Sequence, residues 1–244
     1  MRVSLIVLVL LVLATAVAAA AAPEQISLLP GTPYATEAYV SRGAAPGPAV
    51  LVMGGVHGNE PAGALAAEQV RGFAVSKGVL IVIPRVNKLA LAAGMRTLPE
   101  IGDINRAYPG RADGTPAEQV AAAVETLIRQ YGVTMLIDLH EARTFHRLDH
   151  TSLGQMILFA ANDRSAELAL TAIDHINGLI ADPVKKFAFG AHPILGSAAF
   201  HAGIALGLAA FTVETSGQQT IEARAAQHVA IVRSLLRQEG VEAE

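Results

Sequence analysis

Two apolar runs separated by a helix-forming segment constrain the fold of this chain more than any other feature. The first run, PAVLVMGG, occupies residues 48–55 and ends in two glycines, and the second, GVLIVIPRVN, occupies residues 78–87. Such continuous runs of valine, leucine and isoleucine are typical of strands buried on both faces of a parallel sheet. The segment between them, EPAGALAAEQVRGF, is rich in alanine and leucine and has a proline in its first turn, as helices often do. The order strand, helix, strand therefore predicts a βαβ unit.

The alternation continues along the rest of the chain. We predict further strands at residues 133–140, 155–161 and 207–217, and further helices at residues 116–132, 166–180 and 220–240. The 244 residues, of which 52% are hydrophobic, suffice for one sizeable core, and no repeat or linker divides the chain after residue 22. The sequence therefore predicts a single α/β domain over residues 23–244 with a mostly parallel sheet.

The first 22 residues form a separate segment with the pattern of a secretory signal peptide. Arg2 supplies a positive charge, residues 3–13 are apolar, and an alanine run with several Ala-x-Ala choices precedes Pro23. The alternative is an uncleaved membrane anchor, because the apolar run approaches the length of about 20 residues that spans a bilayer. In both cases we expect the body of the protein to be periplasmic or secreted. The absence of cysteine excludes disulfides and a lipid-modified thiol.

The charge balance argues against nucleic acid as a partner. The chain has 18 lysines and arginines, a formal net charge of −3 and no basic cluster. Domains that bind nucleic acid usually carry a basic patch. We therefore expect no nucleic-acid partner, and contact with a membrane only through an uncleaved leader.

Polar side chains follow or end several predicted strands, which is where α/β sheets bind their ligands. His57 and Glu60 are three residues apart and could hold one cation together, although such a pair alone is more often a surface pair or a helix cap. His140 ends the apolar run LIDLH and, taken alone, is typical of a buried core histidine. Together, however, two histidines and a glutamate are the ligand set of a catalytic zinc site that keeps one position open. The thermolysin-type motif H-E-x-x-H is absent.

Two more polar clusters carry groups suited to catalysis. The segment GMRTLPEIGDINRAYPG contains Arg96, Asp103, Asn105 and Arg106, and FTVETSG contains Glu214. A guanidinium beside an amide suits capture of a substrate carboxylate, and a second arginine could stabilise an oxyanion. The carboxylate of the second cluster could be a general base in a dry cleft. The alternative for the first cluster is an ordinary polar loop, and the alternative for Glu214 is a helix cap.

Four motifs in this order resemble the succinylglutamate desuccinylase/aspartoacylase family of the zinc carboxypeptidase superfamily. They are GGVHGNEPAG, DINRAYPG, DLHEA and VETSG, and the resemblance covers residues 48–217. It implies a zinc carboxypeptidase-like fold, with a mixed sheet of about eight strands flanked by helices. It also implies one Zn²⁺ per chain.

The resemblance assigns roles to the residues of the motifs. His57, Glu60 and His140 would be the zinc ligands, and Asp103 would orient His57 from behind. A carboxylate at Glu141, directly after the third ligand, departs from the family pattern, in which a small residue is common.

The remaining roles concern the substrate. Asn105 and Arg106 would grip its carboxylate, Arg96 would polarise the scissile carbonyl, and Glu214 would be the general acid/base. Arg85 is the alternative to Arg96, because the spacing between this arginine and the Asn-Arg pair is loose. The short segment after the last motif leads us to expect a more open cleft than in longer family members.

Three functions remain open at this point. The first is an exported zinc-dependent hydrolase that cleaves an amide bond next to a free carboxylate, as a deacylase or desuccinylase of N-acyl amino acids does. The second is a metallocarboxypeptidase that trims C-terminal residues from short peptides, including cell-wall peptides. The third is a zinc-binding pseudoenzyme or ligand-binding module, against which the presence of Glu214 argues, since a binder has no use for a base.

Overall fold

A computed structural model describes residues 22–241 of the chain. The expected leader therefore lies, except for residue 22, outside the described residues, and its assignment stays a prediction. Within the described part, no helix combines the length and the apolar character needed to cross a bilayer.

One mixed sheet of eight strands forms the centre of the domain, in the order β1-β2-β4-β3-β5-β8-β6-β7. The four central strands β4, β3, β5 and β8 are mutually parallel, whereas β2 and β6 run antiparallel to their central neighbours. The prediction of a mixed, mostly parallel sheet is therefore confirmed. The strands are β1 (Glu24–Leu28), β2 (Thr36–Arg42), β3 (Ala45–Gly54), β4 (Lys77–Ile83), β5 (Val133–Ala142), β6 (Met156–Phe159), β7 (Ala188–Ala191) and β8 (Ala209–Ser216).

Helices cover both faces of this sheet. On one face α1, α4 and α6 share an apolar core with the strands, and on the other face α3 and α5 do so. A short 3-10 turn, Ile104–Arg106, lies in the connection between β4 and α3. The helices are α1 (Pro61–Val70), α2 (Lys88–Ala93), α3 (Pro116–Tyr131), α4 (Asp163–Gly178), α5 (Ala198–Phe200) and α6 (Ile221–Glu239).

The burial of β3 explains why its sequence is a continuous apolar run. Val50 and Val52 belong to the core beneath α1, α4 and α6, while Leu51 and Met53 belong to the core beneath α3 and α5. Successive side chains of a strand point to opposite faces, so a strand covered on both faces needs apolar residues at every position.

The sequence did not predict the outer strands β1, β2 and β7 or the short helix α2. The predicted strand at residues 78–87 also ends earlier, at Ile83, because the chain then turns away to cap α2 with the side chain of Asn87. These corrections concern the sheet edges and a loop, and the central βαβ arrangement is as predicted.

Candidate active site

The candidate site lies at the carboxyl ends of the central parallel strands. His57 follows β3, Glu60 directly precedes Pro61 at the start of α1, and His140 lies near the end of β5. Glu214 in β8 pairs in register with His140. The topology therefore brings four residues, widely separated in the sequence, to one end of the sheet.

Two glycines allow the first turn of α1 to approach the ends of the strands. A Cβ at Gly63 would lie 2.4 Å from the carbonyl oxygen of Leu139 in β5, and a Cβ at Gly54 would lie 2.4 Å from the carbonyl oxygen of Gly63. Neither position has room for a side chain. This close backbone contact sets the distance between Glu60 and the strand that carries His140.

The side chains of His57, Glu60 and His140 form one buried cluster. Their ligand atoms lie within 4.8 Å of one another. The two Glu60 oxygens lie 2.8 Å from His57 Nδ1 and 2.8 Å from His140 Nδ1, and the two Nδ1 atoms are 3.2 Å apart. Two imidazole nitrogens and a carboxylate that converge in this way fit the donor set of a zinc site with an open fourth position. The cluster could therefore hold a metal ion.

Carboxylates stand behind both histidines. His57 Nε2 lies 3.3 Å from Asp103 Oδ1, and His140 Nε2 lies 3.0 Å from Asp138 Oδ2. A carboxylate behind the outer ring nitrogen keeps the proton there and leaves the inner nitrogen free for a metal. Both histidines thus present Nδ1 to the centre of the cluster.

The mutual contacts shift the ionisation of the cluster. Burial opposes the charge of Glu60, but hydrogen bonds and attraction from His140 and His57 outweigh it and lower the pKa of Glu60 to about 2. Burial likewise opposes the charge of His140, but the carboxylates of Asp138 and Glu60 raise the pKa of His140 well above its usual value. Glu60 is therefore ionised and available as a ligand at neutral pH.

Glu214 lines the same cleft and is only 6% exposed. Burial is the main cause that raises its pKa to about 7, with His140 opposing the rise and Glu60 adding to it. A carboxyl group with a pKa near the working pH can both accept and return a proton. The structure thus places the predicted acid/base beside the buried cluster.

Of the two candidate arginines, Arg96 reaches the site. Its Nη1 donates to Glu60 Oε1 at 3.0 Å, and its Nη2 lies 3.8 Å from Asp103 Oδ2. Arg85 instead pairs with Glu68 at 3.2 Å, away from the cleft. The geometry therefore favours Arg96 for a role in the site.

The cleft above the cluster has a volume of about 520 Å³. Asn105 lines it, and the buried Oδ1 of this side chain has no hydrogen-bond partner among the described residues. Arg106 is exposed and lines the neighbouring groove, where its Nη1 donates to the Asn105 carbonyl oxygen at 2.7 Å. The structure thus brings Asn105 into the cleft and leaves Arg106 outside it.

Asp138 and Arg224 were not predicted from the sequence as site residues, and Glu141 had no predicted role. Asp138 is fully buried two residues before His140, and residues i and i+2 of a strand share a face, so the acid within LIDLH was a usable signal. Arg224 on α6 pairs with Glu141, and both line the cleft. No local sequence pattern predicts that pairing, because α6 and β5 are far apart in the sequence.

The eight-stranded sheet and the buried His-Glu-His cluster define an α/β domain with a candidate metal site at the carboxyl ends of its central strands. The family model of the succinylglutamate desuccinylase/aspartoacylase catalytic domain matches residues 46–238, and the chain belongs to this family of hydrolases.

Solved structures of low sequence identity share the fold. The D,L-carboxypeptidase Csd4 of Helicobacter pylori, solved in its mDAP-bound form, has a TM-score of 0.74 at 20% identity, over 81% of this chain and 52% of that one. An aspartoacylase family protein of Mesorhizobium loti has a TM-score of 0.68 at 21% identity, over 90% of this chain and 67% of that one. A succinylglutamate desuccinylase of Silicibacter has a TM-score of 0.66 at 22% identity, over 86% of this chain and 62% of that one.

A curated relative matches over a shorter stretch. N-alpha-acetyl-L-2,4-diaminobutyric acid deacetylase of Halomonas elongata is 37% identical over 79 residues, which are 31% of this chain and 23% of that protein. The chain thus matches about a quarter of this relative and spans about half of Csd4.

Proposed function

We propose that this chain is an exported, zinc-dependent hydrolase that cleaves an amide bond next to a free carboxylate. The observation that carries the proposal is the buried cluster of His57, Glu60 and His140 with Glu214 beside it in one cleft. Zinc held by the three ligands would supply a Lewis acid that polarises a carbonyl oxygen and acidifies water. Hydrolase relatives in the same family support this assignment.

The side chains around the cluster have complementary tasks in such a reaction. Glu214, whose pKa is about 7, takes a proton from the attacking water and returns it to the leaving amine. Arg96 enters the cleft from a half-exposed position, and its free N–H groups can stabilise negative charge on the scissile carbonyl oxygen. Asn105 offers an amide whose Oδ1 has no partner within the described part of the chain, and which can bind the substrate carboxylate through its N–H groups.

Arg106 contributes to carboxylate binding only if its side chain turns from the neighbouring groove into the cleft. The side chain is exposed, and its Nη1 donates a hydrogen bond to the backbone oxygen of the preceding residue, Asn105. Rotation of an exposed arginine costs little compared with a charge-assisted hydrogen bond to a carboxylate. Its role in substrate binding is therefore part of the proposal.

Two substrate classes fit this chemistry. The deacetylase of Halomonas elongata supports an N-acyl amino acid as the substrate, and this is the first candidate. The shared fold of Csd4, a D,L-carboxypeptidase, supports a short peptide trimmed at its C-terminal residue. Both classes present a carboxylate beside the scissile amide.

The proposal is tested by the substitution Glu214→Gln in the zinc-loaded chain. We expect the rate of hydrolysis of N-acyl amino acids or short peptides to fall by roughly 10²–10⁴-fold, while the zinc content stays the same. Mass spectrometry of the products measures this rate. Glu222→Gln, an exposed glutamate at the start of α6, is the matched control and should leave the rate unchanged.

The outcomes separate the three functions. Chelator-sensitive release of a free amino acid from simple acyl donors identifies a deacylase, and release of only the C-terminal residue from peptides identifies a carboxypeptidase. Full turnover by the Glu214→Gln variant would refute the assigned base. A zinc-loaded chain that releases no product from any donor would point to the binding module instead.

Export rests on the leader pattern of residues 1–22. We expect cell fractionation to recover the chain outside the cytoplasm, with an N-terminus near Pro23 after cleavage. A chain recovered in the membrane fraction with an intact Met1 would instead identify the leader as an anchor.

A further inference from the structure

A buried ion pair lies in the cleft and has no task in the reaction described above. Glu141 of β5 contacts Arg224 of α6, and both side chains line the cleft. Only 3% of the Glu141 side chain and 14% of the Arg224 side chain are exposed. Removing two charges so far from water is costly even when they are paired, so the retention of this pair in the cleft needs an explanation.

Glu141 is held in place by the start of α1. Its Oε1 accepts the backbone N–H of Ala62, and its own backbone N–H donates to Glu60 Oε2 at 3.1 Å. The helix lacks a capping bond from the side chain of its N-cap residue, so the Glu141 carboxylate takes that place. The carboxylate therefore cannot turn away from the site, and it keeps Arg224 beside it.

Arg224 and the other polar groups of the cleft come from different elements of the fold. Arg96 and Asn105 belong to the connection between β4 and α3, whereas Arg224 belongs to α6, which follows β8. In the sheet order β4-β3-β5-β8, the strands that bring His57 and His140 to the site stand between these two groups. Asn105 and Arg224 thus line one cleft from separate elements, and a substrate whose carboxylate binds at Asn105 can direct its acyl group toward Arg224.

The charge of Arg224 is already balanced by Glu141, and this decides which acyl group it can receive. A guanidinium has five N–H donors; here Nε donates to the Thr220 carbonyl oxygen, and Nη1 contacts Glu141 Oε2. The remaining donors can bind a neutral oxygen such as a peptide carbonyl. A second carboxylate would have to give up its water for a guanidinium that is already neutralised and beside Glu141 itself.

We propose that Arg224, neutralised by Glu141, determines specificity by binding a neutral hydrogen-bond acceptor in the acyl group, such as a peptidyl carbonyl, and by disfavouring an anionic acyl group such as succinyl. The inference rests on the proposed function, because it assigns the acyl side of the same cleft. It predicts that removal of the Glu141 charge frees Arg224 to attract an anion.

The test compares two ligands that share one amino acid, an N-succinyl and an N-(acetylglycyl) derivative. Dissociation constants are measured by calorimetry on the zinc-loaded chain that carries Glu214→Gln, so that neither ligand is consumed. We expect tighter binding of the acetylglycyl ligand, and we expect added Glu141→Gln to shift the ratio of the two constants by roughly tenfold toward succinyl. The glutamine retains an oxygen for the Ala62 N–H, so the start of α1 keeps its cap.

The exposed pair of Arg143 and Asp149 provides a matched control. Arg143 also lines the cleft, but 84% of its side chain is exposed, and its partner Asp149 lies 3.1 Å away. Asp149→Asn frees this arginine in water, where charges are screened, and should change the ratio by less than about twofold. The buried pair and the exposed pair thus differ in environment rather than in chemistry.

A second variant distinguishes a specific role of Arg224 from general damage to the cleft. Arg224→Gln should weaken the acetylglycyl ligand and leave succinyl no better bound, whereas general damage to the cleft would weaken both ligands alike. An unchanged ratio in the Glu141→Gln variant, or binding of neither ligand, would overturn the inference. Failure of the proposed function is a separate result, because it appears as absence of product from the chain with Glu214 intact.

Discussion

The two sides of the cleft differ in how firmly they hold their functional groups. The ligand cluster lies at the ends of parallel strands, and its three side chains are only 2% to 6% exposed. Arg96, which contacts the same cluster from the connection between β4 and α3, has 48% of its side chain exposed. The difference indicates that the cluster of His57, Glu60 and His140 is preorganised, whereas Arg96 lies on a segment that can adapt when a ligand enters the cleft.

The strongest test of this comparison concerns the carboxylates behind the two histidines. Asp138 is fully buried in β5 behind His140, whereas the Asp103 side chain, behind His57, is 27% exposed in the loop. We expect Asp138→Asn to lower zinc affinity by roughly 10–100-fold, and Asp103→Asn to lower it less, because water can replace part of the loop carboxylate. Competition with a chromogenic chelator measures both constants. Equal losses would show that the loop holds its histidine as firmly as the strand does.

A smaller effect is expected from the arginines of the adaptable segment. Arg96→Gln removes donors that contact Glu60 within the cleft and should lower kcat/KM by about tenfold. Arg106→Gln removes a side chain that the proposed function turns from the neighbouring groove into the cleft, so its loss of up to about tenfold should appear in KM rather than in kcat. A loss below about threefold would show that this side chain stays in the groove. An equal loss in the two variants, with the Arg106 loss confined to KM, would show that the segment rearranges when substrate binds.

The last expected effect is on stability rather than on the site, and it concerns His228, a fully buried residue of α6 that lies 3.1 Å from the Thr215 hydroxyl. Burial lowers the pKa of His228 to about 3. The folded chain therefore keeps this histidine neutral between pH 6.5 and pH 3, while the unfolded chain binds a proton in this range. Its contribution to the free energy of unfolding thus falls as the pH falls, by up to about 1.4 kcal/mol per unit below pH 6.5.

The check is urea unfolding of the chain with His228 and of the His228→Gln variant between pH 7 and pH 5. For each chain, the free energy of unfolding is plotted against pH. The difference between the two slopes isolates this histidine, because Glu60, Asp103 and the histidines of the cluster titrate alike in both chains. Equal slopes would show that the interior beside β8 admits water. This result would contradict the rigid packing expected at the ends of the central strands.

The centre of the fold could be predicted from the sequence because burial leaves a local pattern there. The second half of β3 is a continuous apolar run, β5 contains the apolar segment MLI, and α3 begins at Pro116 and ends before Gly132. The outer strands carry no such pattern. β7 has four residues, AFGA, and is held by its pairing with β6 rather than by its own sequence.

The candidate site divides in the same way. His57, Glu60, His140 and Glu214 could be selected because they follow or end apolar runs and because their four motifs together resemble one family, although each residue alone is equally explained as a helix cap, a surface pair or a core residue. Arg224 could not be selected, since its partner Glu141 lies on a distant strand and α6 reads as an ordinary amphipathic helix. The outward direction of Arg106 is likewise a property of the folded loop, which its motif does not encode.

Gly54 and Gly63 show that intolerance to substitution need not coincide with chemistry. Each leaves a Cβ no more than 2.4 Å from a backbone oxygen, so a methyl group there would force α1 away from β3 and β5. Glu60 stands at the start of that helix and would move with it. In a library of single substitutions selected for activity, these two positions should therefore tolerate as few variants as the predicted metal ligands, although neither glycine supplies a side chain to the cluster.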